Sequence, residues 1–305
     1  MRRSQRCRLA GSAEVLRRPL RPQPVRSAPE TALFNRPSSA CARRTGAWSV
    51  SSRPMQPSAA RTVTWNGQRA RLEHSSTPAP RQQGAIIPVA GSGPLAVSLV
   101  QHCVEQLATM GLAEISTPAM SESETAGFLR AGFSVSARLH LLSHDLGDIP
   151  DPTTSSPPTM RRGPNDTALL LSVDHAAFRA DWRMDEHAIS GAATATPSVR
   201  IRTTGPRETP VAFAITGRAG RRGYLQRLAV DPSVHRQGHG RALVADALRW
   251  CRRWRSRRVV VNTQEGNEPA LSLYEAMGFE RADKGLVVLR LSLDGATDDR
   301  SGFAS

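Results

Sequence analysis

The segment at residues 235–244, HRQGHGRALV, combines residue types that are suited to holding an anion. Gly238 and Gly240 are separated by one residue, Arg236 and Arg241 flank them, and an apolar, helix-like run follows. A glycine-rich turn before a helix presents free backbone N–H groups and the positive end of the helix dipole. Glycine also lets a ligand approach the backbone closely, because it has no β-carbon. The pattern therefore predicts a phosphate-binding turn.

The residues around the glycines exclude two common phosphate loops. A P-loop needs Lys followed by Ser or Thr after its last glycine, where this chain has Arg241 and Ala242. A dinucleotide-binding turn needs a third glycine where Leu243 stands. The loop instead resembles the acyl-CoA pyrophosphate loop of the GNAT (GCN5-related) N-acetyltransferases, whose pattern is Arg/Gln-x-x-Gly-x-Gly/Ala. The glycine spacing is retained, although Arg236 stands one residue closer to the first glycine than the pattern requires.

Two further segments carry the resemblance. RLAVDP, before the loop, is similar to the fourth strand of the family, and GNEPALSLYEAMGF resembles its Asn-x-x-Ala-x-x-Leu-Tyr-x-x-x-Gly-Phe signature. The resemblance covers residues 167–293 and implies an α/β (α+β) fold with a mixed central sheet flanked by helices. It implies an acyltransferase that moves an acetyl group from acetyl-CoA to a primary amine in a direct ternary complex. A non-catalytic acyl-CoA-binding sensor or regulatory protein stays open as the alternative.

The resemblance also implies roles for individual residues. Tyr274 would be the general acid for the leaving thiolate, although a core aromatic would also fit this position. Asn267 would contact the cofactor arm, although it would also serve as a simple helix N-cap. The other cofactor-binding candidates are Leu228, Ala229 and Val230 in the strand and Arg236, Gln237, Gly238, His239, Gly240 and Arg241 in the loop.

The general base is where the chain departs from the better-known family patterns. Asn262 and Tyr224 stand where other members carry a glutamate. We expect either an ordered water held by Asn262, Gln226 or Tyr224, or an amine that arrives neutral. Glu186 and Asp185, with the aromatic residues Phe178 and Trp182, are candidates for binding a cationic acceptor. A solvated charge beside core aromatics explains the same residues.

The segment at residues 249–258, RWCRRWRSRR, alternates tryptophan with arginine in the way of a nucleic-acid or CoA 3′-phosphate patch. We expect Trp250 and Trp254 to pack in the core, with Leu243, Ala247 and Cys251 on the same helix face, while the arginines face water. A nucleic-acid partner is accordingly not expected. The partners that we expect are acetyl-CoA and an amine acceptor, and the protein is expected to be a monomer or homodimer.

The elements that position these residues fall into two bodies. The first contains a hairpin about Asn66 and Gly67, a strand at 85–90, a helix at 95–111, a strand at 112–119, a short helix and a closing strand at 134–146. The second has the order ααβββαβαβ. We predict a tail at 1–61, a reduced GNAT-like lobe at 62–146, a linker at 147–166, a catalytic GNAT domain at 167–293 and a tail at 294–305.

The two bodies share an internal repeat. Gly91 and Gly93 precede Gly132 much as Gly238 and Gly240 precede Gly278, with a helix, a strand and a helix in each interval. In the first body, Val89 replaces Arg236, Pro94 replaces Arg241, and Phe128 or a near neighbour replaces Tyr274. The whole therefore resembles the tandem GNAT proteins, the organisation of mycothiol synthase, with a degenerate first copy that is structural or shapes the substrate site.

Composition limits the remaining classes. Of the formal net charge of +15, +11 lies within residues 1–61, which hold thirteen arginines and two glutamates. This predicts a disordered tail, or a true start at Met55, rather than a basic domain surface. Four scattered cysteines lack disulfide or metal spacing, so no metal is expected. No apolar stretch is long enough to span a bilayer, and we expect a cytoplasmic protein.

Overall fold

The computed structural model describes residues 61–74, 83–150, 157–163 and 166–293. The predictions for the tail at 1–61, apart from its last residue, for the start at Met55 and for the tail at 294–305 therefore lie outside the described residues. No helix within the described ranges has the length and apolar character needed to cross a bilayer.

The first body begins with a hairpin that turns where the sequence predicts. Asn66 and Gly67 have φ angles of 46° and 78°, the left-handed values that a two-residue hairpin turn requires. The strands and helices of the first body also match the prediction in type and order. They are β1 (Arg61–Trp65), β2 (Gln68–His74), β3 (Gln83–Pro88), α1 (Val97–Ala108), β4 (Glu114–Ser116), α2 (Ala126–Arg130) and β5 (Ser134–His144).

The second body has the predicted order ααβββαβαβ with two additions. A short strand, β6 (Met160–Arg162), lies inside the predicted linker, and β11 (Glu280–Arg281) follows the last helix. The other elements are α3 (Thr167–Ala177), α4 (Glu186–Thr194), β7 (Ser198–Thr204), β8 (Ala212–Ala219), β9 (Arg222–Val230), α5 (His239–Arg253), β10 (Arg258–Gln264), α6 (Glu268–Ala276) and β12 (Leu286–Ser292).

The twelve strands in the described ranges form one mixed sheet, in which the two bodies exchange their final strands. The order is β1-β2-β3-β4-β12-β5-β10-β9-β8-β7-β6, and β11 pairs with β5. Strand β5, from the first body, lies antiparallel to β10 of the second. Strand β12, from the second body, lies antiparallel to β4 of the first, and β5 and β12 also pair with each other. The prediction of a mixed central sheet flanked by helices is confirmed.

The hydrophobic core of each body contains side chains from the strand that the other body supplies. Val287 and Leu289 of β12 belong to the core of the first body, where they are 2% and 0% exposed. Leu142 of β5 belongs to the core under α5 and α6 of the second body. Burial of side chains this completely contributes roughly 1.5–3 kcal/mol each. Each body is therefore stabilised by apolar side chains that the other body supplies.

Helix α5 packs on the sheet through the face that its sequence predicts, with one exception. Leu243, Ala247 and Cys251 are buried. Trp254 is 55% exposed, so the prediction that it packs in the core is wrong. The helix ends at Arg253 with Trp254 as its C-cap, and the Trp254 ring lies beside the guanidinium group of Arg218 instead of entering the core. Trp250 is partly buried against the core, as predicted.

Candidate active site

A cleft opens in the sheet where β9 and β10 separate. The two parallel strands pair only from Arg222 to Tyr224 and from Arg258 to Val260, although they continue to Val230 and Gln264. Each remains paired on its outer side, β9 with β8 and β10 with β5. Beyond Tyr224 and Val260, their facing edges are therefore free to hydrogen-bond to a ligand lying between them. A cavity of about 670 Å³ occupies this position.

A β-bulge in β9 turns two consecutive side chains toward the cavity. Arg227 is paired with Ile215 but Leu225 with Thr216, so Gln226 is the extra residue of the bulge. Gln226 and Arg227 both line the cavity. The amide oxygen and nitrogen of Gln226 are buried, and no residue in the described part of the chain bonds to them. A buried amide of this kind is usually satisfied by a ligand or an ordered water.

The glycine-rich turn forms one wall of the cavity. Gly238 is the N-cap of α5 with a φ of 87°, a left-handed conformation that glycine adopts without strain. The first bond of the helix runs from Ala242 N to Gly238 O at 2.9 Å. The N–H groups of residues 239–241 precede that bond and have no acceptor within the helix. A β-carbon at Gly240 would lie 3.0 Å from Leu273 Cδ2, so this glycine permits α6 to pack closely.

The basic groups of the turn differ in their surroundings. Arg236, with a φ of 61°, and Arg241 both line the cavity. His239 lines it as well, and its Nδ1 lies 2.8 Å from the buried Thr204 Oγ1. Burial lowers the pKa of His239, so its imidazole is neutral at pH 7. Backbone N–H groups, two guanidinium groups and the helix dipole together favour an anion at this end of the cleft.

Helix α6 brings Tyr274 to the other side of the cavity. Asn267 caps the helix by accepting a bond from Ala270 N at 3.3 Å, and it also lines the cavity. Tyr274 is only 4% exposed and packs at 5.6 Å from the ring of Phe279. Burial raises its pKa and the charge of Arg227 partly opposes that rise. The phenol is therefore protonated at neutral pH and can donate a hydrogen bond into the cleft.

Arg227 forms a buried cluster that sequence reasoning missed. Its guanidinium group contacts the carboxylate of Asp174 at 2.6 and 2.7 Å and donates to the carbonyl oxygen of Trp182 at 2.7 Å. It also lies 3.6 Å from the centre of the Phe178 ring. Burial lowers the pKa of Arg227, and Asp174 acts against this. The pair fixes the aromatic wall formed by Phe178 and Trp182.

Most of the residues predicted for the site meet in this one cavity. Asn262 lines it from β10, as do Phe178 and Trp182 from the helical region. Four predicted residues do not line it. Tyr224 is 1% exposed and lies where β9 and β10 still pair, and Ala229 is also buried in the sheet. Glu186 lies in the first turn of α4, and Gln237 in the loop before α5. The lining residues among the predictions are Leu228, Val230, Arg236, Gly238, His239, Gly240, Arg241, Asn262, Asn267, Tyr274, Phe178, Trp182 and Gln226.

One feature of the sequence could have pointed to the residues that were missed. Asp174 is a carboxylate in the apolar stretch LLLSVDHAA and is completely buried, which demands a cationic partner. Arg227 has no such signature, because simple alternation along β9 cannot predict the bulge that turns it toward the cleft. Leu139 lines the cavity from β5 of the first body, a contribution that depends on the strand exchange.

The corresponding loop of the first body is closed by its own side chains. Gln68 Oε1 accepts from Ala96 N at 2.8 Å, and Gln68 Nε2 donates to Pro94 O at 2.7 Å. Ser92 Oγ accepts from Arg69 N at 3.0 Å. A β-carbon on Gly127 of α2 would collide with the carbonyl oxygen of Leu95. The backbone N–H of Ala96, at the start of α1, is therefore already bonded within the fold.

The helices after the two loops end in the same way. Phe133 N donates to Phe128 O at 3.1 Å, and Phe279 N donates to Tyr274 O at 3.0 Å. Gly132 and Gly278, which lie between them, have φ angles of 94° and 85°. Phe128 and Tyr274 thus accept the same backbone bond at the ends of their helices. The hydroxyl group is the difference between the two.

Comparison with known sequences agrees with this geometry. Residues 170–279 match the sequence model of the acetyltransferase (GNAT) family. This segment holds α3 to α6 and the strands between them, and hence almost the whole cavity lining. The chain therefore contains a GNAT acetyltransferase domain at 170–279. No curated protein sequence matches the chain.

Solved structures share the fold over both bodies. A GCN5-related N-acetyltransferase from Kribbella flavida matches with a TM-score of 0.52 and 14% identity over 76% of this chain and 89% of its own. A tandem GNAT protein from the clavulanic acid biosynthesis pathway matches with a TM-score of 0.54 and 16% identity, over 76% of this chain and 81% of its own. A putative acetyltransferase from Pyrococcus horikoshii matches with a TM-score of 0.51 and 13% identity, over 74% and 69%.

Proposed function

We propose that the protein is an N-acetyltransferase that moves an acetyl group from acetyl-CoA to a primary amine in a direct ternary complex. The observation that carries the proposal is the cleft between β9 and β10, which has an anion-binding helix N-terminus in one wall and a buried tyrosine in another. The family match at 170–279 supports acyl transfer as the reaction class. The acetyl group and the amine acceptor are the proposed refinements.

The residues present fit an acyl-CoA. The N–H groups of residues 239–241, with Arg236 and Arg241, would hold the pyrophosphate at the start of α5. Leu228 and Val230 on the free edge of β9 would bond to the amides of the pantetheine arm through their backbone groups. Acetyl-CoA supplies the activated acetyl thioester when it is bound. Asn267 would lie beside the arm, although its side-chain oxygen already caps α6.

Two polar residues of the cavity lining would handle the amine proton. Gln226, whose buried amide has no partner among the described residues, faces the cavity from β9. Asn262 faces it from β10. Both are neutral and can hold a water that accepts the proton from the amine. Tyr224 lies outside the cavity lining, so our proposal places this water with Gln226 and Asn262 alone.

Tyr274 would act on the departing sulfur. Its phenol is protonated because burial raises its pKa. A thiol has an ordinary pKa of about 8.5, below that of a phenol, so the thiolate leaves more readily when a hydrogen bond from Tyr274 Oη stabilises its charge. The nitrogen–carbon bond forms, the carbon–sulfur bond breaks, and the amine proton leaves through the water. The two described cysteines, Cys103 and Cys251, are buried outside the cavity lining, which supports direct transfer.

The acceptor side of the cleft is aromatic and held by the Arg227–Asp174 pair. Glu186 lies outside the cavity lining, and Asp185 is occupied as the cap of α4, where it accepts from Ala188 N at 2.7 Å. Neither carboxylate is therefore part of the proposed acceptor site. Phe178 and Trp182 remain the proposed acceptor contacts.

A titration of acetyl-CoA into the full chain, followed by an assay of released CoA thiol with a panel of amines, tests the proposal. We expect one saturable site and amine-dependent release. Arg241→Glu should weaken binding about tenfold or more, because a charge-assisted contact becomes a repulsion. Arg130→Glu, an equal charge change at the exposed end of α2, serves as the matched control and should leave binding unchanged.

The outcomes separate the alternatives. Binding without turnover of any amine would favour the acyl-CoA sensor over the enzyme. Absence of acetyl-CoA binding, or an equal loss of affinity in the two variants, would refute both the enzyme and the sensor, because both require the phosphate-binding turn.

A further inference from the structure

One end of the molecule carries a dense group of arginines around an exposed tryptophan. The C-terminal end of α5 and the residues after it contribute Arg252, Arg253, Trp254, Arg255, Arg257 and Arg258, all exposed. The β8–β9 turn contributes Arg218, Arg221 and Arg222. We call these nine residues the Arg-Trp patch. The two chain segments that form it, 218–222 and 252–258, contain no acidic residue.

Specific contacts hold the two halves of the patch together. Arg257 N donates to Arg221 O at 2.7 Å, and Arg258 pairs with Arg222 across β9 and β10. The Arg218 guanidinium group lies 5.4 Å from the centre of the Trp254 ring. The indole is thus supported by a cation and is still 55% exposed. A helix dipole accounts for Arg252 and Arg253 in the last turn, but it does not account for arginines on the β-turn.

We propose that the Arg-Trp patch binds single-stranded nucleic acid, with phosphates on the arginines and a base on Trp254. Arginine pairs with phosphate through a planar fork of donors. Among the described residues, no carboxylate forms an ion pair with Arg221, Arg252, Arg253, Arg255 or Arg257, so their charge is available for such pairing. An exposed indole in a basic surface provides the flat face on which bases stack.

The patch fits a nucleic acid better than a membrane surface. Membrane-binding faces combine basic residues with several apolar side chains that enter the lipid. Here Trp254 is the one large apolar side chain that is exposed within the second body as far as the structure describes it. The other exposed ones, Trp65, Met110, Leu129 and Val135, belong to the first body.

The patch and the cleft lie at opposite ends of α5. The N-terminus of this helix lines the cavity, and its fifteen residues place the C-terminus about 22 Å away at 1.5 Å per residue. A strand bound at the patch would leave the cleft accessible. This proposal does not rest on the acetyltransferase proposal, because none of its residues lines the cavity.

Fluorescence anisotropy of the full chain with a labelled oligothymidylate, at several salt concentrations, tests the proposal. Arg252→Glu/Arg253→Glu/Arg255→Glu should lower affinity at least tenfold and reduce the salt dependence, because fewer counterions are released. The control Arg61→Glu/Arg69→Glu/Arg130→Glu changes the net charge equally at exposed sites of the first body. It should have a much smaller effect on both quantities.

Trp254→Ala provides a second variant that changes no charge and removes an exposed side chain. We expect it to fold as the wild type does, judged by its melting temperature, and to bind roughly tenfold more weakly, as loss of one stacked base implies. Equal loss in the two triple variants would overturn the proposal, since binding would then follow net charge alone. So would full affinity in Trp254→Ala, or binding to phosphatidylglycerol vesicles with none to the oligonucleotide.

Discussion

Tyr274 and Phe128 accept the same backbone bond at the ends of their helices, and their side chains differ by one hydroxyl group. In each case the donor is the N–H group of a following phenylalanine. Phe128 is fully buried in this setting without a hydroxyl group. We propose that the hydroxyl group of Tyr274 serves catalysis rather than packing.

Tyr274→Phe should lower kcat about a hundredfold, the usual range for loss of a hydrogen-bond donor that stabilises developing negative charge. Its affinity for acetyl-CoA should stay within about twofold of wild type, because the pyrophosphate contacts are made elsewhere. Stopped-flow release of CoA thiol and calorimetry would measure the two quantities. An unchanged kcat would show that Tyr274 is a core aromatic, the other interpretation of its sequence position.

His239 predicts a pH dependence of stability. Burial lowers the pKa of His239 in the folded chain below the ordinary value of 6.5. Between the folded-state pKa and 6.5, the unfolded chain therefore binds more protons than the folded chain. Stability should therefore be complete above about pH 6.5 and should decline as pH falls toward the folded-state pKa. His239→Gln should remove this contribution.

Urea denaturation of the wild type and His239→Gln between pH 5 and pH 7.5 would isolate the effect, because the other histidines are common to both proteins. The difference in the urea midpoint should shrink as pH falls. A difference that is independent of pH would mean that the bond to Thr204 contributes without titration of the ring.

Strand β12 shows how far an element can act from its place in the sequence. It follows the GNAT domain in the chain, but its buried residues complete the core of the first body. Leu289 is fully buried there, beside Phe133 and Met120 in the same cluster. A change in β12 should accordingly be felt mainly in the first body.

Leu289→Ala should lower the free energy of unfolding by about 2–4 kcal/mol, the range for a leucine deleted from a packed core. Hydrogen exchange should show the loss of protection in α1, β3 and β4. Leu291→Ala, at a partly buried site in the same strand, is the milder comparison. Loss of protection confined to α5 and α6 would contradict the exchanged packing.

Element types and order were predictable from sequence, because hydrophobic periodicity and turn residues report local structure. The strand exchange was not. Both β5 and β12 have the pattern of a closing strand, and that pattern is satisfied equally by either neighbouring body. In the site, the glycines, Asn267 and Tyr274 could be predicted from their motifs. The Arg227–Asp174 pair depends on a bulge, and the exposure of Trp254 depends on where α5 ends; periodicity predicts neither.

For the whole molecule, the two bodies should be inseparable. Residues 62–146 lack a strand between β4 and β5 without β12, and residues 167–293 lack the strand beside β10 without β5. Each piece expressed alone should therefore fail to fold into a stable domain. When they are co-expressed, we expect them to associate and restore acetyl-CoA binding, with one site per pair.

Circular dichroism of each piece and calorimetry of the reconstituted pair would test this. One site is expected because Gln68 and Ser92 close the loop of the first body. A stable, cooperatively melting piece 167–293 that binds acetyl-CoA unaided would refute the mutual dependence, and two sites would refute the closure.

The exchanged strands also affect how the chain reaches its native state. Strand β4 pairs with β12 across more than 170 positions of the sequence, as the pairing of Ser116 with Arg290 shows. Contacts this distant raise the contact order and slow folding. During synthesis, the sheet of the first body cannot close until almost the entire second body has been synthesised, because β12 is needed to pair with β4. Until then, the edges of β4 and β5 stay unpaired in the nascent chain. We expect chaperones to bind such ribosome-bound intermediates.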